Sequence, residues 1–265
     1  MDVFLKIAVD AAQQAGGLLK DNWQKAKTIE IKTDIVDLVT NVDKASDTLI
    51  TGILCSHFPE HQIIAEESAV SGQPSPYRWY IDPIDGTTNF AHSFPHFSVS
   101  IGLMHERQMI VGVVYDPIKD ELFCALRGHG ATLNNHPIHV SPTPTLDQSL
   151  LLTGFPYDRR KRSAYYLGFY QAFMTRTQGV RRVGSASLDL CYVACGRADA
   201  FWEWRLHPWD TAAGSLIVEE AGGTMSDFIG QPFDITGEQT LATNGLLHQE
   251  TLDVLQQVLS SATEK

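Results

Sequence analysis

Trp79-Tyr80-Ile81-Asp82-Pro83-Ile84-Asp85-Gly86-Thr87-Thr88-Asn89-Phe90 joins an apolar run to two aspartates three residues apart, with a glycine and two threonines directly behind them. Strand, carboxylates, tight turn and hydroxyls in so short a span are what a hard-cation and phosphate site needs. Mg2+ takes oxygen ligands in near-octahedral array, usually one or two carboxylates with waters and substrate phosphate. A Gly-Thr-Thr turn that opens a helix aims backbone N–H groups at a phosphate. Taken alone, an Asp-x-x-Asp-Gly string also reads as a turn closing a strand.

Other acids are placed the same way, where apolar runs end. Glu66 and Glu67 follow Ile63-Ile64-Ala65, and Asp210 follows Trp209 ahead of a helix expected over 212–221. Burying like charges together is costly unless cations sit among them. In isolation Glu66-Glu67 reads as a solvated loop and Asp210 as a helix N-cap, a role compatible with ligation.

Composition narrows the classes. The 265 residues suffice for one large domain or two intimately packed subdomains. Hydrophobic residues make up 43% and charged residues 19%, as in ordinary globular proteins. The net charge of −11 argues against nucleic-acid binding through a basic surface. An acidic protein that takes an anionic phosphate needs local positive charge, which bound cations supply. Cys55, Cys124, Cys191 and Cys195 are too few for a disulfide framework and lack zinc spacing, so they read as buried, reduced thiols. The start, Met1-Asp2-Val3-Phe4-Leu5-Lys6, lacks the apolar core of a signal peptide, and no run approaches the ~20 apolar residues of a membrane span. A cytoplasmic protein without membrane contact is expected.

Periodicity predicts a helix over 1–20, on Phe4, Ile7, Ala11, Ala15 and Leu18, weakened at Gly16-Gly17. A short strand at 29–32 and a helix over 43–58, capped by Asn41 or Asp43, follow. Strands are expected at 62–65, 78–81, 109–115 and 121–126. Phe97, Val99, Ile101 and Leu103 alternate, which predicts a strand with one buried face. Asn134-Asn135 centres a hairpin over 132–140. Ser141-Pro142-Thr143-Pro144-Thr145 marks a boundary between subdomains 1–140 and 146–265 of one structural unit. Beyond it come a strand at 150–153, helices at 163–175 and 185–195, a strand at 200–203, the helix over 212–221 stopped by Gly222-Gly223, and a terminal helix on Leu252, Leu255 and Leu259. Mixed α and β elements in this order predict sheets layered between helices.

The string Asp82-Pro83-Ile84-Asp85-Gly86-Thr87-Thr88-Asn89-Phe90 resembles the signature of the inositol monophosphatase family, the lithium-sensitive, magnesium-dependent sugar phosphatases. Ala65-Glu66-Glu67-Ser68, Asp37-Leu38-Val39-Thr40-Asn41-Val42-Asp43 and Pro208-Trp209-Asp210-Thr211-Ala212-Ala213-Gly214 resemble further elements of that family, in its order, so the likeness spans nearly the whole chain. It implies a layered αβαβα sandwich and a homodimer. It also implies Mg2+, two or three ions per site, held by Glu66, Asp82, Asp85, Asp210 and the Ile84 carbonyl, with Asp82 bridging two of them. Asp43 and Thr87 would orient the attacking water near Glu66, since a threonine hydroxyl can take a proton while donating its own to a carboxylate. Backbone N–H groups of Gly86, Thr87 and Thr88 would receive phosphate. Lys32 matches a family lysine near a mobile loop.

For the alcohol half of a small-molecule phosphate monoester, Gly184-Ser185-Ala186 resembles the family's polyol-facing segment, and Glu203 its polyol-binding carboxylate, with Asp85 and Asp210 nearby. Trp204 and Arg205 depart from that pattern. The activity implied is hydrolysis of inositol monophosphate by activated water. Histidinol phosphate, whose ammonium Glu203 could pair, and other sugar or nucleotide phosphates are the enzymatic alternatives; an inactive relative kept for binding is the non-enzymatic one. Arg181 and Arg182 read as solvated bases, with a subunit contact as the other reading.

Overall fold

The computed structural model describes residues 3–32 and 37–263; Met1 and Asp2, assigned to the first helix above, lie outside the described residues. Helix α1 (Val3–Asn22) is followed by an antiparallel pair, β1 (Ile29–Ile31) and β2 (Leu38–Thr40), and by α2 (Asn41–His57). Next come β3 (Gln62–Ala65), β4 (Tyr77–Asp85), the short α3 (Thr87–Ala91), β5 (Ser98–His105), β6 (Gln108–Asp116), β7 (Glu121–Leu126), β8 (Ala131–Leu133) and β9 (His136–Pro137). The second half holds β10 (Leu150–Thr153), α4 (Arg159–Met174), β11 (Gly179–Arg181), α5 (Ala186–Ala194), β12 (Ala200–Trp204), α6 (Pro208–Glu220), β13 (Thr224–Ser226), β14 (Gln239–Thr243) and α7 (His248–Thr263).

Strands β3 to β9 form a seven-stranded sheet in chain order, and β11-β10-β12-β14-β13 a five-stranded one. Helices α1 and α2 cover one face of the larger sheet, α5 and α6 the other; the smaller sheet lies beyond them, with α4 and α7 outermost. This is the expected αβαβα sandwich. Each gap holds its own apolar core. Ala8, Ala12, Ile50, Trp79 and Ile101 fill the first, Phe123, Leu190, Leu216 and Ile217 the middle, and Phe169, Phe173, Trp202 and Leu255 the third. The middle core therefore mixes side chains from both sides of residues 141–145.

Several elements differ from expectation for identifiable reasons. Helix α1 runs through Gly16 and Gly17, because the Tyr115 ring packs where a Cβ on Gly16 would come within 2.4 Å of it. Thr40, not Asn41 or Asp43, caps α2; Asp43 takes the N3 position and closes a capping box. Strand β5 is buried on both faces, since α6 lies over Ser98, Ser100 and Gly102. A Cβ on Gly102 would stand 2.9 Å from the Cβ of Ala212, so a bare backbone lets α6 settle onto the sheet. Helix α4 starts at Arg159 rather than Ser163 and is kinked at Arg162. Four short strands, β2, β11, β13 and β14, lie where the sequence predicts none, because three to five residues carry little periodicity. Of the cysteines only Cys191 is buried, Cys55 is exposed, and all four are free. The 141–145 stretch is pinned rather than loose. Ser141 Oγ donates to Asp199 at 2.5 Å, the Leu150 N–H donates to the same carboxylate at 2.6 Å, and Asn244 Nδ2 donates to the Thr143 carbonyl at 2.8 Å.

Candidate active site

Residues three apart on a regular strand face opposite sides of a sheet. Asp82 pairs with Ser100 and Asp85 with Ser98, so four residues of β4 span three of β5 and the ladder carries a bulge. Pro83, unable to donate to a ladder, sits in that bulge. The extra residue brings both aspartates to the face shared by Ser98 and Ser100, beneath α6. Strand β3 runs parallel to β4, with Ala65 beside Ile81, so Glu66 leaves its strand next to Asp82; its N–H donates to the Ile81 carbonyl at 3.1 Å. Carboxyl ends of parallel strands are a usual place for a ligand crevice.

Asp210 arrives from the other direction. His207 is the N-cap of α6, and Asp210, at N3, accepts the His207 N–H at 2.7 Å. Asp210 is thus not the N-cap, and its second oxygen remains for the cleft. Gly86, at φ 99°, makes the left-handed turn from β4 into α3. That turn places Thr87 Oγ1 3.0 Å from Asp43 Oδ1 and 3.0 Å from the Ile84 carbonyl. Asp43 Oδ2 is held by Thr40, through N–H at 2.8 Å and Oγ1 at 2.5 Å. Asp43 is therefore helix-capping and turned towards Thr87 at once. Lys32 Nζ contacts Glu66 at 2.9 Å and also Glu67, so the loop lysine bridges both glutamates.

Glu66, Asp82, Asp85, Asp210, Thr87 and Glu203 line one cleft. Burial raises the pKa of Asp82 far above the carboxylate range, with Glu66, Asp85 and Asp210 adding repulsion. Asp210 is raised likewise by burial, then by Asp85 and Glu66. Burial raises Glu66 against the opposing pull of Lys32, and pushes Asp43 up to about 6 despite its threonine donors. Among the described residues no three histidine, cysteine or carboxylate side chains stand as a finished ligand set. The acids are instead tied to protein donors. The donor chemistry nevertheless fits a hard divalent cation, being carboxylate and carbonyl oxygen. A cation would also relieve the repulsion that protons relieve here.

Sequence reading missed residues on the alcohol side of the cleft. Gly154, Tyr157, Arg159, Arg182 and His207 line it together with Glu203. Arg182, read above as a solvated base, is exposed but sits at this cleft, its Nη1 over the bare face of Gly184. Tyr157 is 45% exposed overall, yet burial of its hydroxyl end and the charges of Glu66 and Asp210 raise its pKa. Glu203, near the end of β12, is only 9% exposed. Burial pushes its carboxyl up to about 8, with Arg182 pulling it down. One signal could have found this corner. The apolar run 150–153 ends in Gly-Phe-Pro-Tyr, and β10 lies parallel to β12, so Gly154 emerges beside Glu203. A Cβ on Gly154 would lie 2.0 Å from Glu203 Oε2. Gly154→Ala should therefore displace the carboxylate and raise KM roughly tenfold, the weight of one good hydrogen bond, with kcat nearly unchanged. Steady-state kinetics on the variant checks this; an unchanged KM would remove Glu203 from substrate contact.

A buried cluster of acids whose charge a cation would offset, set between the sheets of an αβαβα sandwich, defines the class: a metal-dependent phosphomonoesterase. Residues 1–260 match the inositol monophosphatase family, and the chain belongs to it. It is 47% identical over 256 residues to the inositol-1-monophosphatase of Synechocystis sp., covering 96% of this chain and 89% of that protein. It is 44% identical over 232 residues to the Nus factor SuhB of Escherichia coli, covering 87% of each. The solved inositol monophosphatase from Anabaena superposes with a TM-score of 0.87 at 45% identity, covering 96% of this chain and 95% of that one.

Proposed function

We propose that this enzyme hydrolyses inositol monophosphate to inositol and phosphate with Mg2+, two or three ions per site. The observation that carries the reading is the convergence of Glu66, Asp82, Asp85 and Asp210, from three separate parts of the chain, on the cleft lined by Thr87, whose hydroxyl contacts buried Asp43 behind it. Those four carboxylates and the Ile84 carbonyl would hold the metal. When bound, Mg2+ acidifies water and offsets charge on the phosphate and leaving oxygens.

The chain's own groups do the rest. Thr87 Oγ1 gives its proton to Asp43, which leaves its lone pairs open to a water's O–H. Thr40 fixes Asp43 from behind, so the pair keeps its orientation without substrate. Helical N–H groups of a first turn have no partner within the helix, so those of Thr87 and Thr88, with Gly86, are placed to receive phosphate oxygens. Lys32, on Glu66 and Glu67, restrains the acid loop. On the alcohol side, Ser185, Gly184, Ala186 and Glu203 face the leaving group. Arg182 and Arg159 beside Glu203 disfavour an ammonium there, which favours a polyol over histidinol.

The same reading includes a homodimer, lithium inhibition and a cytoplasmic setting. Free cysteines support the last, and among the described residues no helix is long and apolar enough to cross a membrane. The test is Mg2+-dependent phosphate release from inositol 1-phosphate, histidinol phosphate, fructose 1,6-bisphosphate, 3′-phosphoadenosine 5′-phosphate and NADP. Inositol 1-phosphate should lead in kcat/KM. A lead for histidinol phosphate would overturn the substrate while keeping the chemistry, and no release from any would overturn both.

A further inference from the structure

Asp85 is held by more donors than the other acids of the cleft. Ser185 Oγ donates to its Oδ2 at 2.7 Å, the Ser187 N–H at 2.7 Å, and Ser187 Oγ at 2.5 Å. Among the described residues its Oδ1 receives only the Ala186 N–H, at a long 3.2 Å. A carboxylate oxygen offers about two lone-pair directions, so three donors close Oδ2. The carboxylate also rests on the first turn of α5, where unpaired N–H groups and the helix dipole favour an anion.

Ser187 is fully buried, and its hydroxyl lies 2.8 Å from Ser98 Oγ. A serine has one proton to give. Ser98 Oγ also lies 3.3 Å from Ser185 Oγ. Both α5 serines give their protons to Asp85, so the one proton of Ser98 goes to the nearer, Ser187, and a directed chain runs from β5 through α5 to the aspartate. The chain crosses from the seven-stranded sheet to the helix layer. It fixes the rotation of Asp85 from the side away from the cleft.

We propose that Ser187 is a positioning residue for Asp85: its hydroxyl ties Oδ2 to Ser98 on β5 and so fixes the rotation that turns Oδ1 towards a cation. The proposal rests on Asp85 as a Mg2+ ligand. A fixed rotation suits Mg2+, which demands strict octahedral geometry, whereas Ca2+ tolerates two-oxygen carboxylate ligation. Ser187 is therefore a determinant of which divalent ion the site prefers, as well as of affinity.

The experiment is calorimetric titration of the full-length protein with Mg2+ and with Ca2+, for wild type, Ser187→Ala and the near-isosteric, weakly donating Ser187→Cys. Melting of the metal-free forms confirms that each is folded. Removing an outer partner of a ligand typically costs on the order of tenfold or more in metal affinity. Both variants should lose about tenfold for Mg2+ and stay within about twofold for Ca2+. Mg2+ affinity unchanged in Ser187→Ala would overturn the proposal, as would equal losses for the two ions or wild-type Mg2+ affinity in Ser187→Cys. Wild-type protein that binds no Mg2+ would overturn the proposed function and this inference with it. An unchanged variant beside a binding wild type would overturn this inference alone.

Discussion

Asp82→Asn should cut phosphate release by roughly 10³-fold or more and, in the absence of metal, make the protein more stable. Both effects come from one carboxyl group. Asp82 is 2% exposed, and Glu66, Asp85, Asp210 and Asp43 all press on it electrostatically. Asparagine keeps an oxygen to accept the Ile84 N–H that Asp82 Oδ1 holds at 3.0 Å, so the bulge survives. What disappears is the negative charge that would bind the cations. Loss of one preorganised electrostatic partner at a reacting phosphate or carbonyl typically costs 10²–10³ in rate, and loss of a proposed metal ligand should weigh at least as much. Without metal, the same substitution removes an acid that the fold keeps protonated at a cost, because burial holds its pKa well above the unfolded value. Melting temperature in EDTA should rise by a few degrees, because about 1 kcal/mol moves it by roughly 2–4 °C in a chain of this size. Activity assays with paired thermal scans decide the matter. A variant that keeps a tenth of wild-type activity, or that melts lower without metal, would remove Asp82 from the centre of the site.

Metal-free protein should lose stability as pH rises from about 6.5 to 8, and Mg2+ should abolish most of that loss. Glu203 is raised by burial to about 8, and Asp82, Asp210 and Asp189 are raised well above their usual range, again by burial first. In the unfolded chain these carboxyls titrate near 4. Between those limits the folded state holds more protons than the unfolded state. Their contribution to stability is therefore complete below about pH 4 and disappears as pH climbs through the folded values. Each retained proton is worth about 1.4 kcal/mol per pH unit. Histidines act in the opposite sense. Burial lowers His96 to about 4 and lowers His61, so they cost stability as pH falls below about 6.5. The acids are thus read most cleanly above that point. Thermal scans from pH 6.5 to 8, in EDTA and in Mg2+, give the comparison. A metal-free melting temperature that climbs with pH would mean the acid cluster does not hold protons.

The two halves of this site were not equally visible from the residues. Acids that end apolar runs announced a cation site, because a buried charge needs a partner wherever the chain happens to run. The layered α/β class followed from periodicity, as did the Asn134-Asn135 hairpin and the helix behind Asp210, whereas Asp82 and Asp85 stood out as acids beyond a strand expected to end at Ile81 that in fact runs on to Asp85. Those features depend on near neighbours in the chain.

Other features depend on contacts between distant segments. Asp82 and Asp85 share a face only because β5 presses three residues against four across the Pro83 bulge. Glu203 is buried because parallel pairing of β10 and β12 sets it on the bare backbone of Gly154. Arg182 belongs to the cleft through its position over Gly184, and Ser187 reaches Asp85 across 102 residues of chain. Register between strands and approach between layers are set by packing, which no local run of residues encodes. The chemistry of the cluster was legible from residue types together with the family resemblance, whereas its geometry was decided where the two sheets and the helices between them close on one another.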